Sequence, residues 1–197
     1  RGVILTTTNC LLNPNRNPHL DRAQVEGYLR DYLAAKQVLW LQGGEIAGDD
    51  TDGHIDQIAR FVNPTTVVCS VCDDPADENY GPTQQNLIEL QNMTDQDGRL
   101  LDVVPLRLPR PLFCDGQRLP AGYANFLIVN GAVIVPQFDD PADDDALRTL
   151  AEQFVIVSAM IQRLTRRYDT RVLEQLLYQP EVTAARFGDR AWLTEWA

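Results

Sequence analysis

Short apolar runs that read as strands alternate along this chain with stretches of helical periodicity, and that alternation constrains its fold more than any other feature. Val3 to Thr8, Val38 to Leu41, Thr65 to Val71 and Leu101 to Leu108 are short and bounded by turn-forming or polar segments, as expected of strands, with Val38 to Leu41 a buried one. Between them, Leu20 to Ala35 places Val25, Tyr28, Leu29, Tyr32 and Leu33 at helical spacing after the Pro18-His19 break, and Thr83 to Met93 is amphipathic in the same way. Phe126 to Val129 and Ala132 to Val135 flank Asn130-Gly131, the pair favoured in two-residue hairpin turns. Ala146 to Phe154 reads as a last helix behind an acidic start. The pattern predicts an α/β fold of helices and paired strands in modules.

The connection that follows Gly43-Gly44 holds the densest chemistry. From Gly48 to Asp56 it gathers four carboxylates and one of the two histidines into nine residues. Read as extended chain, Asp50, Asp52, His54 and Asp56 line one face and form a site for a cation. Read as helix, Ile55, Ile58, Ala59 and Val62 follow the i, i+3, i+4, i+7 spacing, so a helix begins near Asp56 with Thr51 and Asp52 as capping candidates. His54 and Asp56 then stand at a loop-to-helix junction, where a carboxylate favours the charged, proton-donating imidazole. A capped acidic helix start facing solvent fits the same residues without any function.

The run GDDTDGHIDQIARFV resembles the agmatine deiminases of the peptidylarginine-deiminase-like family. So do CLLNPNRNP at Cys10 to Pro18, CSVCDDPADENY at Cys69 to Tyr80 and LPAGYANFLIVNGAVIVPQF at Leu119 to Phe138. The four motifs stand in the family's order and the resemblance runs from Gly2 to about Phe154. It implies a pentein, a ring of five αββαβ modules around a central site, with residues 1–154 supplying about two of the five. It also implies hydrolysis of the agmatine guanidinium to N-carbamoylputrescine and ammonia. In that scheme a cysteine thiolate attacks the guanidinium carbon and a His-x-Asp pair, here His54 and Asp56, is catalytic. Carboxylates such as Asp50 and Asp52 bind the planar fork of guanidinium donors, and Asn15 and Arg16, in a turn-rich loop leading to the site, are counted with them as substrate-binding. The scheme requires no cofactor and no metal.

The family's nucleophile sits in a glycine-rich stretch ending in His-Cys-Thr, which no segment here matches. Cys10, Cys69, Cys72 and Cys114 lie beside no helix start or glycine cluster that would lower a thiol pKa. Cys69-x-x-Cys72 is a lone pair without a second pair or a neighbouring histidine, which fits ordinary buried thiols better than zinc. Unpaired cysteines and the lack of a signal-like leader point to a cytoplasmic protein. His19 reads as a loop residue, Tyr123 and Phe126 as core, and Asn125 as part of the family-like hairpin motif.

Residues 155–197 differ in character. They hold six Arg and five acidic residues, a net of +1, so residues 1–154 carry a net of −12 within the −11 of the whole chain. Met160, Ile161, Leu164 and Tyr168, then Val172, Leu173, Leu176 and Leu177, give helical spacing with Arg163, Arg166 and Arg167 among them, stopped at Pro180. This tail resembles a short helical segment of the B subunit of bacterial DNA gyrase. The expectation is therefore a domain at 1–154 and a helical C-terminal tail at 155–197. The acidity disfavours nucleic acid and anionic membranes and suits a small cationic guanidino substrate. No run reaches the ~18 apolar residues of a membrane span. Two alternatives stand beside the hydrolase: an inert segment that binds a guanidino compound or forms a homo-oligomer, and a DNA-associated tail.

Overall fold

The computed structural model describes residues 2–129, 132–154 and 159–161. Strand β1 (Val3–Thr7) runs into a one-turn helix α1 (Thr8–Leu11), whose Cys10 amide is capped by the Thr7 hydroxyl at 3.1 Å. Helix α2 (Arg22–Leu33) then returns the chain to β2 (Gln37–Leu41), parallel to β1 with Val3 opposite Gln37 and Thr7 opposite Leu41. The start of α2 is set by a capping box between Asp21 and Gln24, three residues after the proline break, and its end by Ala34 in the left-handed region at φ 55°.

After the acidic connection comes a one-turn helix α3 (Ile55–Ile58), which passes directly into β3 (Ala59–Phe61). The helix predicted to run through Val62 therefore ends at Ile58. Ala59 is extended because Ala59, Arg60 and Phe61 pair antiparallel with Cys69, Val68 and Val67 of β4 (Thr66–Val71). Sheet pairing overrides the helical spacing. Helix α4 (Tyr80–Gln91) connects β4 to the parallel strand β5 (Asp102–Arg107).

Two short strands, β6 (Phe113–Cys114) and β7 (Gln117–Arg118), form a hairpin across Asp115-Gly116, both at positive φ as a tight primed turn requires. β8 (Leu127–Val129) and β9 (Ala132–Val135) pair antiparallel as their sequence predicts, although the turn at 130–131 lies outside the described residues. Helix α5 (Ala142–Gln153) then leads to β10 (Ala159–Ile161), parallel to β9. Helical spacing from Met160 is thus corrected: Met160 and Ile161 are in a strand, in keeping with the β-branched run Val155-Ile156-Val157 before them. The rest of the tail expected at 155–197, that is 155–158 and 162–197, lies outside the described residues, and the helices expected there with it.

Three strand–helix–parallel strand units result: β1-α2-β2, β4-α4-β5 and β9-α5-β10. Strand β4 is buried along its whole length and divides two cores. Val67 and Cys69 face Leu39, Leu41, Ile46, Ile58 and Leu90 on one side, while Val68 faces Leu106, Tyr123, Phe126, Val135, Leu147 and Leu150 on the other. The alternation follows from the two-residue period of a strand. Tyr123 and Phe126 are core residues, as their sequence context suggests. Among the described residues no helix is long and apolar enough to cross a membrane.

Candidate active site

The acidic connection is neither strand nor extended helix. It is a clasped loop, hydrogen-bonded from both sides. On one side α4 and its N-cap hold it: Glu89 accepts from the Gln42 amide at 2.7 Å, Asn86 Nδ2 donates to the Gly44 carbonyl at 3.0 Å, and the N-cap Asn79 Oδ1 accepts from the Ala47 amide at 2.7 Å. On the other side the Thr7 hydroxyl donates to the Gly53 carbonyl at 2.6 Å and Asn9 donates to Glu45 at 3.1 Å. Polar contacts suit a segment that must keep carboxylates near water, where apolar burial would neutralise them.

Asp49 organises the interior of the loop. Its carboxylate accepts from the Thr51 amide at 3.0 Å, the Thr51 hydroxyl at 2.5 Å and the Gly53 amide at 2.8 Å. Burial opposes its ionisation, yet these hydrogen bonds and the neighbouring His54 outweigh burial and hold the carboxyl below the ordinary aspartate range. Asp52 and Gly53 adopt φ of 62° and 71°, which breaks any extended alternation. Asp50, Asp52, His54 and Asp56 therefore do not line a strand face.

His54 caps α3 by position but without a side-chain hydrogen bond, so neither Thr51 nor Asp52 is the cap. Its Nδ1 lies 3.9 Å from Asp56 Oδ1, an ion-pair separation and too long for a hydrogen bond. The two side chains are 37% and 47% exposed. Nε2 is shielded and has no hydrogen-bond partner among the described residues. Asp50 is exposed.

Arg16 reaches the same loop, with Nε 3.4 Å from Asp52 Oδ2 and Nη2 2.9 Å from the Thr51 carbonyl. Asn15 is an exposed turn residue whose amide donates to Asn13 Oδ1 at 2.9 Å. The structure thus brings His54, Asp56, Asp52 and Arg16 together around one loop. It leaves Asn15 and the exposed His19 in the preceding turn.

Several contributors carry little sequence signal. Cys10 lies among these charges: burial pushes its thiol up, Arg16 partly offsets this, and Asp52, Asp56 and Asp49 raise it further. Arg118, only 14% exposed, donates to both Asp77 oxygens at 2.8 Å and to Glu78 at 2.9 Å. Its backbone carbonyl lies against Gly48, where φ is +88° and any Cβ would collide with it. The Asp115-Gly116 hairpin signal locates Arg118 just after the turn, but only the fold shows that it backs the acidic loop. Burial pushes Cys69 up to about 12 and also raises Cys72, so neither is poised as a thiolate. Among the described residues no three His, Cys, Asp or Glu side chains converge on a metal position.

The chain has a mixed α/β fold of repeated βαβ units with a His-x-Asp turn on a clasped acidic loop, and the proteins it is similar to are deiminases. The sequence profile of the Porphyromonas-type peptidyl-arginine deiminases matches residues 1–165, past Phe154. Agmatine deiminases of Medicago truncatula and Pseudomonas aeruginosa are 40% and 42% identical to it over 172 and 171 residues, covering 78% of this chain and 46% of each relative. The structure of a cysteine-to-serine agmatine deiminase of C. jejuni with substrate bound superposes with a TM-score of 0.77 at 39% identity, covering 83% of this chain and 47% of that one. Agmatine deiminase of Enterococcus faecalis gives 0.75 at 35%, covering 83% and 49%. The chain belongs to the Porphyromonas-type peptidyl-arginine deiminase family. It spans about half the length of the relatives it matches.

Proposed function

We propose that this segment carries the guanidinium-gripping and proton-handling part of a hydrolase that converts agmatine to N-carbamoylputrescine and ammonia. The observation that carries the reading is the His54–Asp56 pair, held side by side at the mouth of a loop whose shape is fixed by Asp49, Thr7 and α4. Asp56 and the exposed Asp50 accept from the guanidinium fork, while Asp52, paired with Arg16, shapes the loop. His54, with one ring nitrogen toward Asp56 and the other turned inward, protonates the departing ammonia and then assists water in attacking the covalent thiouronium. Burial raises the thiols of Cys69, Cys72 and Cys10, which makes each a poor source of the attacking thiolate. Two of the βαβ units, β1-α2-β2 and β4-α4-β5, are complete within residues 1–154, which supports reading that stretch as about two of the five modules of a pentein ring. The four free cysteines suit a reducing cytoplasm.

Calorimetric titration with agmatine tests the reading, with putrescine, which lacks the guanidinium, as competitor. Saturable agmatine binding that is lost in Asp56→Asn and untouched by putrescine is expected; no binding by the wild-type chain overturns it. Ammonia and N-carbamoylputrescine are measured in parallel, with His54→Ala as control. The raised thiols favour a second reading, in which the segment binds agmatine without turning it over. Turnover that vanishes in His54→Ala excludes that reading.

A further inference from the structure

Helix α4 and its N-cap face the acidic loop with three polar side chains, Asn79 at the cap and Asn86 and Glu89 within the helix, spaced so that they share one side. Asn86 is the unusual one. It is fully buried, its Nδ2 donates to the Gly44 carbonyl, and its Oδ1 has no hydrogen-bond partner among the described residues. That oxygen occupies the space that a Cβ at position 43 would need, and a Cβ at position 44 would come within 2.5 Å of the Pro82 ring. The Gly43-Gly44 pair is therefore what allows the loop to lie directly on α4. A buried amide with an unmet acceptor is a costly occupant of a helix face that packs on a core. Its retention makes sense if the donated hydrogen bond has a task.

Hydrogen bonds anchor the loop backbone at intervals between this amide and the residue before the histidine. Asn86 fixes Gly44; Asn79, heading the same helix, fixes Ala47; the Asp49 amide donates to Ile46 at 3.0 Å; and Asp49 Oδ2 accepts from the Gly53 amide next to His54. Gly53 is also held through its carbonyl by Thr7. Every anchor is backbone or a short side chain, so a displacement at Gly44 is passed along the loop. We propose that Asn86, assisted by Asn79, is a positioning residue that sets where His54 and Asp56 stand, although neither asparagine is in hydrogen-bond contact with them. The inference rests on the assignment of the His54 loop as the guanidinium site.

The test compares Asn86→Ala and the isosteric Asn86→Asp with Leu90→Val, which trims a fully buried core residue on the same helix. In Asn86→Ala, amide exchange at Ala47, Asp49 and Gly53 is expected to speed up at least tenfold, the His54 ring cross-peak to move, and agmatine to bind at least tenfold more weakly. Leu90→Val lowers the melting temperature while leaving all three readouts at wild-type values, which a merely structural role for Asn86 would equally do. Asn86 variants whose loop exchanges no faster than β4 and β5, and which bind agmatine normally, overturn the proposal. If the wild-type chain binds no agmatine, the functional assignment fails, and exchange and the His54 cross-peak still decide the positioning claim. Should both Asn86 variants fail to fold, Asn79→Ala, which removes only the acceptor for the Ala47 amide, is read in the same way.

Discussion

Replacing Asp49 by Asn tests whether the interior of the loop, rather than its count of acids, makes the site. In the native loop three donors converge on one carboxylate, two of them backbone amides at 3.0 and 2.8 Å. An asparagine offers one oxygen and turns its NH2 toward a donor, so one charge-assisted bond is lost and one amide is left facing another donor. Hydrogen bonds to charged groups contribute about 1.5–3 kcal/mol, and the half-buried position lets water recover part of this, which leaves a loss of about 2 kcal/mol. At 1.4 kcal/mol per tenfold, this predicts agmatine binding weakened by about 30-fold.

The loss is local to the loop, so calorimetric affinity should fall far more than the thermal midpoint. Acid gives a matching signature. The folded-state pKa of Asp49 is depressed, so its stabilisation is complete above the unfolded value of about 3.9 and disappears as pH falls through the lower folded value. Asp49→Asn should abolish that part of the acid transition. An Asp49→Asn protein that binds agmatine within twofold of wild type refutes the claim that this carboxylate shapes the site.

Tyr123→Phe deletes the 2.7 Å hydrogen bond from a fully buried hydroxyl to Asp143, which then keeps only backbone donors. About 2 kcal/mol and about 4–8 °C in the melting midpoint should be lost. In the native protein the same hydroxyl, raised by burial and by Asp143, should show no phenolate absorbance through pH 11. Gly48→Ala must place a methyl at φ +88° against the Arg118 carbonyl. It should abolish agmatine binding while circular dichroism still reports a folded chain, and normal binding would remove Arg118 from the account. With an aromatic disulfide reagent, exposed Cys114 should react first, while Cys69, pushed up to about 12 by burial, reacts only on unfolding. Prompt labelling of Cys69 would contradict the two-sided burial of β4.

The strands and long helices were legible because their signals are local. Asp21 and Gln24 announce the start of α2, and the short run Val67 to Val71, apolar but for Ser70, announces a strand. Illegible parts depend on distant partners. Ile55, Ile58, Ala59 and Val62 keep a helical spacing that only the pairing of Ala59 with Cys69 cancels. Likewise, the positive φ of Asp52 is stabilised by Arg16, far back in the chain, and by the folding of Gly53 onto Asp49 and Thr7. His54 and Asp56 could be nominated from their spacing and from the family resemblance. Asn79, Asn86 and Arg118 could not, because their side chains are polar residues at ordinary helix and hairpin positions until the loop is laid against them.

Counting carboxylates overstates the negative charge this loop offers to a ligand. Asp49 is satisfied from within, and Asp52 already faces the guanidinium of Arg16 at 3.4 Å. Arg16 presents the same head group as agmatine, so Asp52 is either part of the scaffold or a grip that the substrate must take from Arg16. Arg16→Lys separates the two, because it keeps the charge but removes the planar fork that bonds Asp52 and the Thr51 carbonyl together. Both partners are more than a third exposed, and such pairs contribute no more than about 1 kcal/mol. If Asp52 is scaffold, as proposed here, agmatine affinity should fall about three- to fivefold in Arg16→Lys. A rise in affinity would mean that arginine and substrate compete for one carboxylate, and would return Asp52 to the list of groups that bind the guanidinium.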